Sequence, residues 1–387
     1  MKRLHLAGLV IVLLTGVIGG LRATVWHDSD LDGHLDFSQP VWDTGEYGAG
    51  KGIERYPFAY QLLLAPLAAL PRWLGVSIWM AMSVLALLAL PRAMERLSGV
   101  KAADQWPAWL VLMPFVVDNL GLGQSGPLLL WLVILGLAWA RENSARLSGL
   151  PIGIAALVKV LPVAFLAAPL VLRRARGGLV GLALAIGLFL GAGALLTSWD
   201  STTTEIDRWV REVPASQSPR GLVEGGRSLR YNNQSLSITL VRTLSEVPED
   251  KARGAVRLAS LPIEVPLRIQ QGIVALMVVL GGLVALRARR DPTPQRWVAV
   301  AGLISIGMLA AAPLVWTHYF IWVAPALVAL VHRRRVLWIW GILSLLVVAY
   351  TPARALGGNM LLCLWLYFVI VAEQLSRPVP EPAPRTN

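Results

Sequence analysis

Long apolar runs alternate with short polar connections along almost the whole chain. A helix that crosses a bilayer needs about 20 apolar residues. Runs of that character cover 5–24, 73–91, 106–120, 127–140, 178–197, 267–287, 296–313, 317–331, 336–350 and 358–375. Several are shorter than a full span, which is tolerable where neighbouring helices shield their ends. The stretch LSGLPIGIAALVKVLPVAFLAAPLVLRRARGG is predicted to form two short helices broken near Lys159 and Pro162, because a proline disfavours helix at the residue before it and removes a backbone donor. The segment 56–70 is short and bounded by prolines and reads as a helix lying at or dipping into one face. Residues 198–266 are too polar to span, except that 232–244 reads as a short amphipathic or re-entrant helix.

Bases decide the orientation. With Lys2 and Arg3 cytoplasmic, one arrangement of about twelve membrane helices places every short basic cluster on the same side. These clusters are Arg92, Arg96 and Lys101; Arg141 and Arg146; Arg173, Arg174 and Arg176; Arg287, Arg289, Arg290 and Arg296; Arg333 to Arg335; and Arg377. Both termini are then cytoplasmic. The outer face receives a first loop at 25–72, GLGQSG at 121–126, the break at Lys159, the long loop 198–266, PLVWTH at 313–318 and TPARALGG at 351–358. The expectation is one all-α polytopic membrane domain over 1–375 with an outer-face active-site cavity. A proline-rich disordered cytoplasmic tail follows at 376–387.

Composition agrees. Of the 387 residues 56% are hydrophobic and 15% are charged, against roughly 25% charged in soluble domains. The net charge of +12 sits in clusters between apolar runs, so it marks topology and not nucleic-acid binding. The N-terminal basic-apolar run lacks a small-residue cleavage site and reads as a retained helix. The one cysteine, Cys363, lies in an apolar run and has no intrachain partner. No P-loop, HExxH or GxSxG motif is present.

The polar residues within this frame are the informative ones. The stretch from Trp26 to Pro57 carries seven acids, Asp28, Asp30, Asp32, Asp36, Asp43, Glu46 and Glu54, and two bases, Lys51 and Arg55. A dense acidic loop at a membrane face is a candidate for a general base or a metal site. DSDLDGHLDFSQ has the alternating acids and turn glycine of a calcium-binding loop, but Gln39 stands where the bidentate glutamate belongs. An acidic substrate-facing loop is therefore favoured over a divalent cation at Asp28, Asp30 and Asp32, and no cofactor is expected. Lys159 is embedded in apolar sequence and His318 stands among aromatic residues at a helix end. Asn119, Gln124, Asn232, Asn233 and Gln234 supply amides on the same face, and Gly121, Gly123 and Gly126 permit close backbone approach to a ligand.

The order of these motifs resembles glycosyltransferase family 87. These are GT-C-fold membrane enzymes related to polyprenyl-phosphate-mannose-dependent α-1,2-mannosyltransferases. The resemblance is carried by Asp36-Phe37 and Val41-Trp42, Gly50 to Gly52, YPFAYQLLLAPLAALP at 56–71, DNLGLGQSGPLLL at 118–130, GIAALVKVLP at 153–162, NNQSL at 232–236 and APLVWTHYF at 312–320. Departures fall at Phe58, Ser125-Gly126 and Tyr319. The resemblance implies transfer of a hexose, mannose in the best-known case, from a polyprenyl-phosphate sugar to a glycolipid or glycan acceptor, with inversion, at the outer face of the cell (inner) membrane. It implies Asp36 as general base, with Asp43 in reserve, and Lys159 and His318 on the donor phosphate. Tyr56, Asn119, Gln124, Asn233, Gln234 and Trp316 would complete substrate binding. A polytopic transporter or lipid flippase is the alternative. It would require ionisable groups near mid-bilayer and inverted repeats, and no repeat is apparent.

Overall fold

The protein is described here by a computed structural model covering residues 2–48, 56–142, 147–172, 175–224, 229–247 and 256–377. The expected tail from Pro378, the Gly50–Gly52 stretch, Arg146, Arg173 and Arg174 lie outside these residues. The helices are α1 (Lys2–Thr24), α2 (Asp30–Asp43), α3 (Phe58–Ala68), α4 (Arg72–Ser98), α5 (Trp106–Gly121), α6 (Gly126–Arg141), α7 (Gly149–Val158), α8 (Ala167–Val171) and α9 (Ala175–Leu196). They continue as α10 (Trp199–Ser216), α11 (Pro219–Glu224), α12 (Leu236–Leu244), α13 (Glu264–Arg290), α14 (Pro294–Ala311), α15 (Ala324–Ala329), α16 (Arg334–Ala349), α17 (Thr351–Ala355) and α18 (Gly358–Ser376). Tight 3₁₀ turns occupy Leu161–Leu166 and Thr317–Val323. Among the described residues there is no strand beyond an isolated bridge between Ser245 and Leu261.

Five helical stretches are long and apolar enough to cross a membrane: Arg72–Ser98, Arg176–Leu196, Glu264–Arg290, Pro294–Ala311 and Gly358–Ser376. The expected count of about twelve treats shorter apolar stretches of 10–17 residues, such as Gly126–Arg141 and Gly149–Val158, as spans as well. α14 is the central helix, with 72% of its apolar window buried, whereas α9 and α13 have 22% buried. Their exposed Leu184, Leu188, Leu276, Val279 and Leu283 form apolar surface suited to lipid.

The bundle has two ends of different character. At one end α4, α6, α13 and α18 finish and α14 and α16 begin. Arg96 pairs with Glu142 at 2.5 Å, Arg296 with Asp291 at 3.4 Å, and Glu373 with His332 at 3.1 Å and Arg333 at 2.6 Å. These are the basic clusters that sequence patterning groups together. The acidic stretch, the Lys159 break and the 312–320 segment gather at the other end.

Local chemistry sets the elements that matter there. Ser29 caps α2, its Oγ accepting the Asp32 N–H at 3.2 Å, and Asp30 and Asp32 lie in the first turn where the helix dipole favours carboxylates. The DSDLD sequence is therefore a helix start. Its acids diverge: Asp28 pairs with Arg22 at 3.0 Å, and Asp32 with Arg72 at 3.3 Å and His27 at 3.2 Å. α7 stops at Lys159, whose backbone is extended (φ −147°, ψ 120°). The break thus falls two residues before Leu161, where the Pro162 argument places it, and Leu161 instead opens the 3₁₀ turn.

Gly123 and Gly126 of the α5–α6 connection lie close against protein atoms. Gly123 has φ +65°, and a Cβ there would lie 2.6 Å from the Leu31 Cβ; one on Gly126 would lie 2.3 Å from Asn119 Oδ1. Gly123→Ala is expected to destabilise the protein by more than about 1 kcal/mol, from left-handed strain alone, and further by pushing α2 away. Thermal unfolding of the purified variant in detergent checks this.

Candidate active site

A cavity of about 640 Å³ opens at the end remote from the arginine clusters. Its chemistry comes from α2, the α5–α6 connection, the Lys159 break and the 312–319 segment.

α2 presents Asp30 and His34 to the cavity, one helical turn apart on one face. The Asp30 carboxylate accepts a hydrogen bond from Gln124 Nε2 at 2.5 Å. The other side of the same amide, Oε1, accepts from Lys159 Nζ at 3.4 Å. Gln124 thus bridges acid and cation. Lys159 is only 7% exposed, and its ammonium lies 4.5 Å from the centre of the Tyr319 ring and 5.4 Å from that of Tyr56. Aromatic faces and an amide oxygen hold this charge, each such cation–π contact contributing about 0.5–2 kcal/mol.

His318 stands beside Asp118 at 3.7 Å and meets Tyr319 edge-on. The hydroxyl of Tyr60 reaches His34 Nδ1 at 2.9 Å, and His34 packs edge-on against Tyr56 and Tyr60. Burial, and then the nearby Lys159 and His318, push the His34 imidazole from 6.5 down to about 3. It is neutral across the physiological range.

Of the residues singled out by sequence, Lys159, His318, Tyr56, Gln124 and Trp316 line this one cavity. Asp36 does not. It lies on another face of α2, its side chain 61% exposed, paired with Arg72. Asp43, the last residue of α2, is exposed and also outside the cavity. Asn119, Asn233 and Gln234 are fully buried behind the wall. Asn119 Nδ2 donates to the carbonyls of Phe115 at 3.0 Å and His318 at 2.6 Å. Asn233 Oδ1 accepts from the backbone N–H of Ser235 at 3.1 Å and of Val315 at 3.0 Å. Gln234 Oε1 accepts from the Asn359 N–H at 3.3 Å. These amides brace the segments that carry the cavity residues. Asn232, one of the amides expected on this face, also lines the cavity, as do Asp30, His34, Asp118, Tyr231 and Arg354, to which sequence reasoning gave no defined role in it. For Asp30 and His34 the signal was present: a serine cap followed by acid and imidazole at i and i+4. Among the described residues no three His, Cys, Asp or Glu side chains are grouped to hold a metal ion.

The family model "Glycosyltransferase family 87" matches residues 55–313. No curated protein matches the chain, and no solved structure does.

His34 gives the fold a pH dependence. The folded protein leaves this ring unprotonated down to about pH 3, while the unfolded chain binds a proton below about 6.5. Stability contributed by neutral His34 is therefore full above that value and falls as the pH drops through the window between the two, by at most about 1.4 kcal/mol per unit. His34→Gln is expected to flatten the acid limb of unfolding midpoint against pH, measured in detergent between pH 4 and pH 7 on the two proteins side by side.

Proposed function

The chain belongs to glycosyltransferase family 87 and is a membrane glycosyltransferase; from that premise we propose that it transfers a hexose, mannose first among the candidates, from a polyprenyl-phosphate donor to a glycolipid or glycan acceptor, with inversion. The observation that carries this reading is the convergence of Asp30, Lys159 and His318 on one cavity at the end of the bundle away from the basic clusters. The positive-inside rule favours that end as the non-cytoplasmic one, which supports this reading.

Asp30 is the proposed general base, in place of Asp36. A base must reach the proton it takes, and Asp30 faces the cavity while Asp36 is turned to Arg72. The Asp30 carboxylate takes the proton of the acceptor hydroxyl as that oxygen bonds to the anomeric carbon. The bond from that carbon to the phosphate oxygen breaks from the opposite side, and its electron pair leaves with the lipid monophosphate. Lys159 meets the negative charge that builds on the leaving oxygens, with His318 donating beside it. Gln124 keeps acid and cation in register and neutralises neither. The aromatic walls Tyr56, Trp316 and Tyr319 give the sugar and the lipid head apolar faces.

Asp30→Asn is expected to lower transfer at least a hundredfold in an assay with labelled polyprenyl-phosphate sugar. Asp36→Asn should lose less than about fivefold, since an exposed ion pair contributes roughly 0–1 kcal/mol. The reverse ranking would return the base to Asp36, and selective loss in Asp118→Asn would move it to the Asp118–His318 pair. Lys159→Met is expected to weaken donor binding at least tenfold and acceptor binding little, as titration of each substrate reads out. Unchanged donor affinity would remove Lys159 from the phosphate site.

A further inference from the structure

The cavity wall carries a second polar group that the chemistry above leaves unused. Arg354, Tyr231 and Asn232 all line it. The Arg354 guanidinium lies 4.9 Å from the centre of the Tyr231 ring. Its Nη2 donates to Thr351 Oγ1 at 3.1 Å. Among the described residues it pairs with no carboxylate, and its Nε is buried without an acceptor. Asn232 Oδ1 is buried without a donor. An arginine and an amide that line one cavity, each with a buried polar atom lacking a protein partner, are groups whose hydrogen-bonding capacity a ligand can complete.

The group is built and held from behind. Arg242 is 1% exposed and has only neutral partners. Its Nη1 donates to the carbonyls of Arg230 at 2.8 Å and Asn233 at 3.0 Å, and its Nε to the carbonyl of Ala355 at 3.1 Å. A buried guanidinium therefore clamps the segment that carries Tyr231 and Asn232 to the residue that follows Arg354. Burying such a charge is costly. The result is a fixed spacing between two pieces of chain more than a hundred residues apart in sequence. Asn233 and Gln234 fasten the same segment to Val315, the latter through its backbone N–H at 2.8 Å to the Val315 carbonyl.

A guanidinium presents a planar fork of donors that matches a phosphate oxygen pair, and an aromatic face beside it suits a sugar or glycerol backbone. Asp30, Lys159 and His318 are spoken for by the proposed transfer. We propose that Arg354, with Tyr231 and Asn232, adds a second anion-binding group to the cavity wall, which grips a phosphate-ester group of a lipid-linked substrate. The inference rests on the glycosyltransferase reading. That chemistry has two possible sources, the phosphate of the donor lipid and a phosphodiester in the head group of the acceptor lipid, and the experiment separates them.

Full-length wild type, Arg354→Gln and Arg354→Lys are compared in neutral nanodiscs. Two probes are titrated, undecaprenyl monophosphate and phosphatidylglycerol, with octyl glucoside as the uncharged control. A donor-side subsite predicts that Arg354→Gln weakens undecaprenyl monophosphate by tenfold or more, with Arg354→Lys intermediate because it keeps charge and loses the fork. An acceptor-side subsite predicts the same loss for phosphatidylglycerol with undecaprenyl monophosphate unchanged. In both cases octyl glucoside is unaffected. Should Arg354→Gln not fold, the partial loss in Arg354→Lys carries the comparison. Wild-type affinity in the substituted proteins for both probes, with transfer by wild type intact, overturns the subsite and leaves the glycosyltransferase reading standing. A wild type that binds neither probe and transfers no sugar overturns both.

Discussion

The buried Lys159 ammonium is the constraint on which the rest of this end of the protein depends. Placing a charge in an apolar frame costs several kcal/mol unless it is met by other groups. Here the meeting groups are two aromatic faces and the Gln124 amide, and among the described residues no carboxylate pairs with it directly. Each partner comes from a different part of the chain. Tyr56 precedes α3, Gln124 opens α6, and Tyr319 sits in the 3₁₀ turn before α15. A cation held this way fixes three elements around it and keeps its hydrogen-bonding head available to an anionic substrate. A direct carboxylate partner would have fixed the same elements and occupied that head.

Gln124 extends the constraint to α2, because the amide that accepts from Lys159 also donates to Asp30. The close seating of α2 follows from Gly123, which brings the α5–α6 connection against Leu31. The indole N–H of Trp79 donates to the Gly123 carbonyl at 2.9 Å from α4. The carboxylate, the amide and the ammonium therefore form one unit, and the strain of a left-handed backbone is part of what assembles it.

Much of this was legible in the sequence. The all-helical membrane architecture, the grouping of the arginines at one end and the break at Lys159 follow from apolar run lengths, basic clusters and one proline. The convergence of Lys159, Gln124, His318 and Tyr56 followed from placing polar residues on one face. What the sequence did not disclose was that the acidic stretch is a helix. Read as a loop, its acids are interchangeable, and a two-residue motif singles out Asp36. Read as a helix, positions four apart share a face. Asp30 and His34 then go to the cavity, while Asp32 and Asp36 go to Arg72. The amides at 119, 233 and 234 make a complementary point. A polar residue in an apolar frame has a reason, but that reason is as often a backbone carbonyl or N–H to satisfy as a ligand to bind.

The two-faced character of α2 sets a rule for how this chain can vary. Each residue of a helix turns the next by about 100°. Insertion or loss of one residue between Ser29 and Arg72's partners would swing either the carboxylate out of the cavity or the acids off Arg72, and no side-chain change would restore both. Substitutions along α2 can be absorbed one at a time, but changes in its length cannot. Related chains should therefore drift in sequence through this segment while keeping its residue count, and the gaps between them should gather in the connections that α2 does not touch.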